Sequence, residues 1–254
     1  MTAAPLDAAP LDAAPFNAAI VTARAGSKSI ADKNVHPVGG RPLVAWPIEA
    51  ALDAARVGRV FVSTDGEAIA AVAREMGCEV ILRPDELGGD HVNHGDVIRH
   101  AVEWVDARHP GLANVVLLLG NTVMIDGALI DDCLGILAES PDVDSVMTVW
   151  EAADDHPLRA LEIHEGLLRP YGDPGRRVST ERQSYPKAYY YDQGVWAFRK
   201  GCVARRDGPS PWWWMGRRCR PVVRNWVTGR DVHTRLDVSI AEWWLAHLPE
   251  IRSL

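Results

Sequence analysis

The densest group of chemically capable side chains is the run Arg24-Ala25-Gly26-Ser27-Lys28-Ser29-Ile30-Ala31-Asp32-Lys33-Asn34. Gly26 and its small neighbours let backbone N–H groups approach an anion, and Arg24, Lys28 and Lys33 bring three cations into eleven residues. Such a loop suits a triphosphate, although a solvated basic loop has the same composition. The run carries neither GxxxxGK[ST] nor GxGxxG, so it is not one of the two common phosphate-binding glycine loops. Three weaker groups stand apart from it. Asp65, in Ser-Thr-Asp-Gly, either caps the helix that follows or faces a ligand from a strand end. His91, His94 and Asp96 have the composition of a metal cluster. Trp212-Trp213-Trp214 is an apolar block on a loop, suited to a partner surface or to core packing. No Gly-x-Ser-x-Gly elbow or zinc-protease signature competes for a catalytic role.

The elements that must position these residues alternate. AAIVTA (18–23), RVFVST (59–64), CEVIL (78–82), VVLLL (115–119) and SVMTVW (145–150) read as strands. Helical spacing falls between them, on Leu43/Trp46/Ala50/Ala54, on Ile69/Val72/Met76 closed by Gly77, on Val97, Ala101 and Trp104 or Val105, and over 127–138. The expected fold is α/β: a mostly parallel twisted sheet flanked by helices. VVLLL is apolar without alternation, as a strand buried on both faces must be. Ligands of such sheets sit beyond the carboxyl ends of the strands, so the loops after residues 23, 64 and 119 should border the site. Residues 1–17 contain the near-repeat AAPLD-AAPLD-AAPFN and are expected to be a disordered tail. The domain proper is expected over 18–254, with an inserted arm over about 151–192 that holds one clear strand, ALEIHEG. GVWAF (194–198) returns to the sheet and LDVSIAEWWLAHL (236–248) spaces a closing helix.

Composition narrows the function. The chain has 254 residues, 47% of them hydrophobic, enough for a sizeable core. Its 27 Lys+Arg against 34 Asp+Glu give a net charge of −7, which argues against nucleic acid or an anionic membrane as partner. No apolar run approaches a membrane span and no secretory signal is evident, so the protein is expected to be cytoplasmic. Cys78, Cys133, Cys202 and Cys219 are widely spaced and read as reduced residues.

The first strand with RAGSKSIADKN, then GGRPLVAW, FVSTDGEAIAAVA and LRPDELGGD, resembles in order and spacing the CMP-sugar-acid synthetases, the acylneuraminate and 3-deoxy-manno-octulosonate cytidylyltransferases. The likeness runs across most of residues 18–245. It implies a nucleotide-diphospho-sugar transferase-like fold with a small dimerisation arm, hence a homodimer, and attack of an acceptor oxygen on the α-phosphorus of CTP with Mg²⁺, releasing pyrophosphate. By position, Arg24 and Lys33 would hold phosphates and serve catalysis, while Ala25, Gly26, Ser27, Lys28 and Asn34 complete the nucleotide loop.

Departures from the family pattern bear on the acceptor and the metal. The family's Asp-x-Asp-Thr metal segment reads here Asp231-Val232-His233-Thr234; an imidazole beside one carboxylate favours softer ions, so Mn²⁺ joins Mg²⁺ as a candidate. After VVLLL, a Gln-Pro-Thr-Ser-Pro-Leu-Arg type segment is replaced by Leu119-Gly120-Asn121-Thr122-Val123-Met124-Ile125, leaving Asn121 as a nucleotide-side hydrogen-bonding residue. In the arm, Arg182, Gln183, Lys187 and Gln193 match the family's acceptor-side segment, and Arg or Lys there would pair the oxygens of a carboxylate or phosphonate; Arg and Tyr suit a subunit interface equally. The implied substrates are CTP and a small anionic acceptor, most naturally a 2-keto-3-deoxy sugar acid. A phosphonate acceptor and a CTP-binding subunit without catalysis are the two alternatives.

Overall fold

The computed structural model describes residues 14–89, 91–172, 179–181, 184–226 and 228–248. Its elements in chain order are β1 (Phe16–Thr22), β2 (Pro37–Val38), β3 (Arg41–Pro42), α1 (Ala45–Asp53), β4 (Arg59–Thr64), α2 (Glu67–Glu75) and β5 (Glu79–Leu82). There follow α3 (His94–Arg108), β6 (Leu112–Leu119), α4 (Gly127–Glu139), β7 (Ser145–Glu151), β8 (Leu161–His164), β9 (Leu167–Pro170), β10 (Tyr189–Arg199), α5 (Gly201–Arg205), β11 (Cys219–Arg224) and α6 (Arg235–Ala246). Most of the expected tail, residues 1–13, lies outside the described residues, and β1 takes up its last two positions.

Seven strands form one sheet in the order β11-β7-β10-β6-β1-β4-β5. Every neighbouring pair is parallel except those made by β10, which runs against both β6 and β7. The α/β expectation therefore holds, with one reversed strand entering from the arm. From β1 the chain passes to β4 on one side, while β6 pairs on the other, so the switch point of the sheet lies between Thr22 and Leu119.

The alternation of side chains explains why the central strands are apolar throughout. Ala19, Val21, Val116 and Leu118 face a core closed by α1, α2 and α4, whereas Ala18, Ile20, Val115 and Leu117 face a second core closed by α3 and the tryptophan block. Trp214 is 3% exposed in that second core, with Trp212 and Trp213 packed against it, so the block is packing rather than a free patch. A third, smaller core seats α6 on the β2–β3 hairpin through Val38, Leu43, Val238 and Ala241. In the arm, the expected strand finds a partner the sequence did not announce: β8 pairs antiparallel with β9 through a tight turn at Glu165-Gly166, where both residues have positive φ.

Candidate functional site

The basic loop leaves β1 at its carboxyl end and is pinned at both ends. Ala23 N–H donates to Ser63 O at 3.0 Å, and Ala25 N–H donates to Asp65 Oδ1 at 2.8 Å. The buried Asn34 Nδ2 donates back to Arg24 O at 2.8 Å, and Lys33 Nζ donates to Val232 O at 2.8 Å. The result is a cleft of about 340 Å³ at the switch point, lined by Arg24, Ser27, Lys33, Asn34 and Asn121 together with Gln193, Asp231 and His233. Ala25, Gly26 and Lys28 share the turn but not the lining: Gly26 and Lys28 are exposed, and the Ala25 amide is already engaged by Asp65. Asp65 thus braces the loop from the end of β4. The capping role expected for it is not taken, since α2 starts after Gly66 with no side-chain cap.

Burial shapes the electrostatics of the cleft. Lys33 is held below the ordinary lysine pKa chiefly by desolvation and further by Arg24, with Asp231 and Asp237 opposing. A poorly solvated ammonium gains more from an arriving phosphate than a fully hydrated one. The sequence did not single out Arg83 as a lining residue. It lies after β5, donates to Ser63 Oγ at 3.0 Å and Ser63 O at 2.8 Å, and is brought down to about 10 by burial, then by Arg24, against Asp65. His94, the first residue of α3, also lines the cleft, with Nε2 3.1 Å from Thr22 Oγ1 and the rings of Trp196 and Trp214 at 6.5 and 6.2 Å. Burial and then the charge of Arg83 lower its pKa to about 4, so it is neutral near pH 7. The signal for its position was Asn93, whose side chain accepts from Gly95 N–H and starts the helix at a strand-end loop. His91, His94 and Asp96 do not converge on a metal: His91 is exposed, and Asp96 pairs with Arg99 at 3.2 Å. Among the described residues no group of three or more His, Cys, Asp or Glu could hold a metal ion by itself.

The opposite wall is assembled from three distant segments. Asn121 Nδ2 donates to Asp231 Oδ2 at 2.8 Å and to Val232 O at 3.0 Å, and Val232 N–H donates to Asn121 O at 2.9 Å. Thr122 forms a β-bridge with Asp231, and its hydroxyl donates to Gln193 O at 2.9 Å. His233 Nε2 stands 2.9 Å from Asp231 Oδ2. Beyond Gln193, Asp231 and His233 lies a second cleft of about 470 Å³, walled by Trp150, Tyr190, Tyr191 and Trp226 and lined also by Asp155, Asp237 and Arg230, whose guanidinium stands 3.6 Å from Asp237. Of the arm residues expected at the acceptor, Gln193 is brought to the cleft and, among the described residues, Lys187 is not. Arg182 and Gln183 lie outside the described residues. Lys187 is exposed, pairs with Glu151 at 3.0 Å and borders a separate hollow with His156 and Tyr185; its hydrogen bond to Glu151 holds its pKa up.

The donors at Asp231 can be tested against a divalent cation. Asp237 is committed to the capping box of α6 and accepts from the amides of His233 and Thr234, leaving Asp231 as the carboxylate facing the cleft. One carboxylate with phosphate oxygens is a donor set that Mg²⁺ accepts. His233 meets Asp231 through Nε2, so Nδ1 is the ring nitrogen it would have to offer to such a set while keeping that contact.

A mostly parallel sheet, a cationic loop at its switch point and two adjoining clefts define a nucleotidyltransferase-like α/β protein. Residues 18–199 match the model of the cytidylyltransferase family, and the chain belongs to that family. It is similar to the N-acylneuraminate cytidylyltransferase of Escherichia coli, 40% identical over 83 residues, covering 33% of this chain and 20% of that protein. It is 27% identical over 196 residues to the N-acylneuraminate cytidylyltransferase of Streptococcus agalactiae serotype III, covering 73% of this chain and 44% of that protein. The chain thus spans less than half the length of these curated relatives. In fold it is similar to a CMP:2-keto-3-deoxy-manno-octonic acid synthetase complexed with CTP, at a TM-score of 0.67 and 16% identity, covering 92% of this chain and 99% of that one. Among the described residues no helix is long and apolar enough to cross a membrane.

Proposed function

We propose that the protein transfers CMP from CTP to a small acidic acceptor, releasing pyrophosphate, and that the acceptor is a 2-keto-3-deoxy sugar acid of the acylneuraminate kind. The observation that carries this reading is the adjacency of the two clefts: the cationic chamber of Arg24 and Lys33 and the aromatic-walled chamber share Gln193, Asp231 and His233 as a common wall. CTP occupies the first, with its phosphates against the loop. The acceptor occupies the second, its ring against aromatic faces and its carboxylate toward Arg230. The acceptor's anomeric hydroxyl oxygen attacks the α-phosphorus and gives up its proton to water, the bond to the β-phosphate oxygen breaks, and pyrophosphate departs. Charge grows on the nonbridging and leaving oxygens, where the fixed cations Arg24 and Lys33 stabilise it. The divalent ion of this reading is Mg²⁺, with Mn²⁺ as substitute; Asp231 would hold it, and bound there it would neutralise phosphate charge.

The same reading makes the protein a homodimer. Leu161 is 57% exposed, Ile163 76% and Leu168 70% on one face of the β8–β9 hairpin, an apolar patch that a second copy would cover. A cytoplasmic location is consistent with four free cysteines. Pyrophosphate release with CTP and a panel of acylneuraminate, 3-deoxy-manno-octulosonate and phosphonate acids tests the proposal. Turnover restricted to phosphonates would replace the sugar acid, and CTP binding without turnover on any acid would leave a binding subunit.

A further inference from the structure

Behind the wall between the two chambers lies a buried ion pair that no step above uses. The Asp192 side chain is fully buried and that of Arg224 is 10% exposed, with Nη1 donating to Asp192 Oδ2 at 3.0 Å. Two buried charges of this kind seldom add stability over apolar replacements, because desolvating them costs about what their attraction returns. Their geometry suggests what else they do.

The β7–β10 register slips at this point: Tyr191 pairs with Val149 and the next paired residue is Trp196, opposite Met147. The four residues 192–195 bulge out of the ladder opposite Thr148, whose hydroxyl meets Asp192 Oδ1 and accepts from Val195 N–H at 2.8 Å. Asp192 Oδ1 also accepts from Gly194 N–H at 2.8 Å, closing the bulge on itself. The bulge is what turns Gln193 toward the cleft, and Gln193 O receives the Thr122 hydroxyl. On the other side, Arg224 Nη2 donates to Met124 O, in the loop that carries Asn121 and Thr122. The segment leading to Asp231 crosses directly over the pair: a Cβ on Gly229 would come within 2.8 Å of Asp192 Cβ, and one on Gly194 within 2.5 Å of Arg224 Nη1. One ion pair therefore touches all three segments that form the acceptor-side wall.

We infer that Asp192 and Arg224 are positioning residues that set Gln193, Asn121 and Asp231 against one another. The inference rests on the two-chamber reading for its kinetic consequence, but not for its structural one. Arg224→Lys keeps a compensating charge for Asp192 yet cannot reach both Asp192 and Met124 O from one ammonium; Asp192→Asn keeps the size and weakens the tie to the guanidinium.

The test is hydrogen exchange of the full chain, followed by mass spectrometry, together with calorimetric titration of CTP and turnover on the sugar-acid panel. In both variants exchange over 119–125, 192–195 and 229–234 should rise about tenfold or more while β1 and β6 stay protected. CTP affinity should stay within about twofold and kcat should fall on the order of tenfold or more. Exchange that rises evenly over the whole sheet, or not at all in these segments, would overturn the inference and leave the pair a stability element. Selective loosening without any wild-type turnover would overturn the proposed reaction and leave the positioning role standing.

Discussion

The two halves of the cleft are built in opposite ways. The nucleotide half is built mainly on one short stretch, Arg24 to Asn34, folded over a strand end and fastened by Asp65, Asn34 and Lys33, with Arg83 and His94 added from beyond β5. The acceptor half has no such stretch; residues 121–122, 192–193 and 231–233 come from three distant segments, joined by the Thr122–Asp231 bridge and the Asn121–Asp231 and Thr122–Gln193 hydrogen bonds beside a buried ion pair. A local loop can keep its chemistry while the rest of the fold changes. A wall made of three segments changes whenever any one of them does, and here it is the half in which the family motifs are replaced.

Substitutions on the two sides should therefore separate binding of the nucleotide from use of the acceptor. The largest effect is expected at Lys33: Lys33→Ala removes a fixed, partly desolvated cation and should lower kcat by roughly 10²–10³-fold with the fold intact. Near-normal pyrophosphate release by that variant would remove the loop from catalysis. Arg24→Ala should weaken CTP binding at least about tenfold, about 1.4 kcal/mol, with little change in acceptor KM. Calorimetry reads the first quantity, and unchanged CTP affinity would mean that the nucleotide lies elsewhere. On the other half, Trp226→Ala should raise the acceptor KM on the order of fivefold by removing an exposed aromatic wall, leaving CTP affinity unaltered. An equal loss for both substrates would erase the boundary between the chambers.

The smallest effect is on stability. His94 titrates at about 4 in the fold, below its ordinary value of 6.5, so the unfolded chain takes up the proton first. Stability present above the unfolded value is lost as pH falls from 6.5 towards 4, and the unfolding midpoint should drop over that window. His94→Gln should flatten the drop by roughly 5 °C in thermal scans. An unchanged pH slope would show that His94 is not the group responsible.

The sheet was legible because its signals are local. RVFVST was read as a strand over 59–64 and β4 occupies those residues, while the apolar run 115–119 became the core of β6. The nucleotide loop was legible for the same reason. Arg83 was hidden because its sequence neighbours give no hint that β5 ends beside Ser63, and His94 was misfiled as a weak metal candidate because it is read beside His91 and Asp96 rather than beside Thr22. The capping role suggested for Asp65 gave way to Ala25, forty residues earlier, a contact that only the β1–β4 pairing creates. The tryptophan block admitted two readings until α3 supplied the surface it packs on.

The reversed direction of β10 has a further consequence. In a sheet whose other six strands point their ends at the substrate, this one presents its beginning, so whatever precedes Tyr189 is delivered to the working edge without a return loop. The hairpin and the segments around it can lengthen, shorten or exchange partners while the strand that follows keeps its seat, since extra length in a closed excursion costs little. On the proposed reaction, selectivity for new acids would thus be open to revision upstream of β10 without disturbing the loop that would hold the nucleotide.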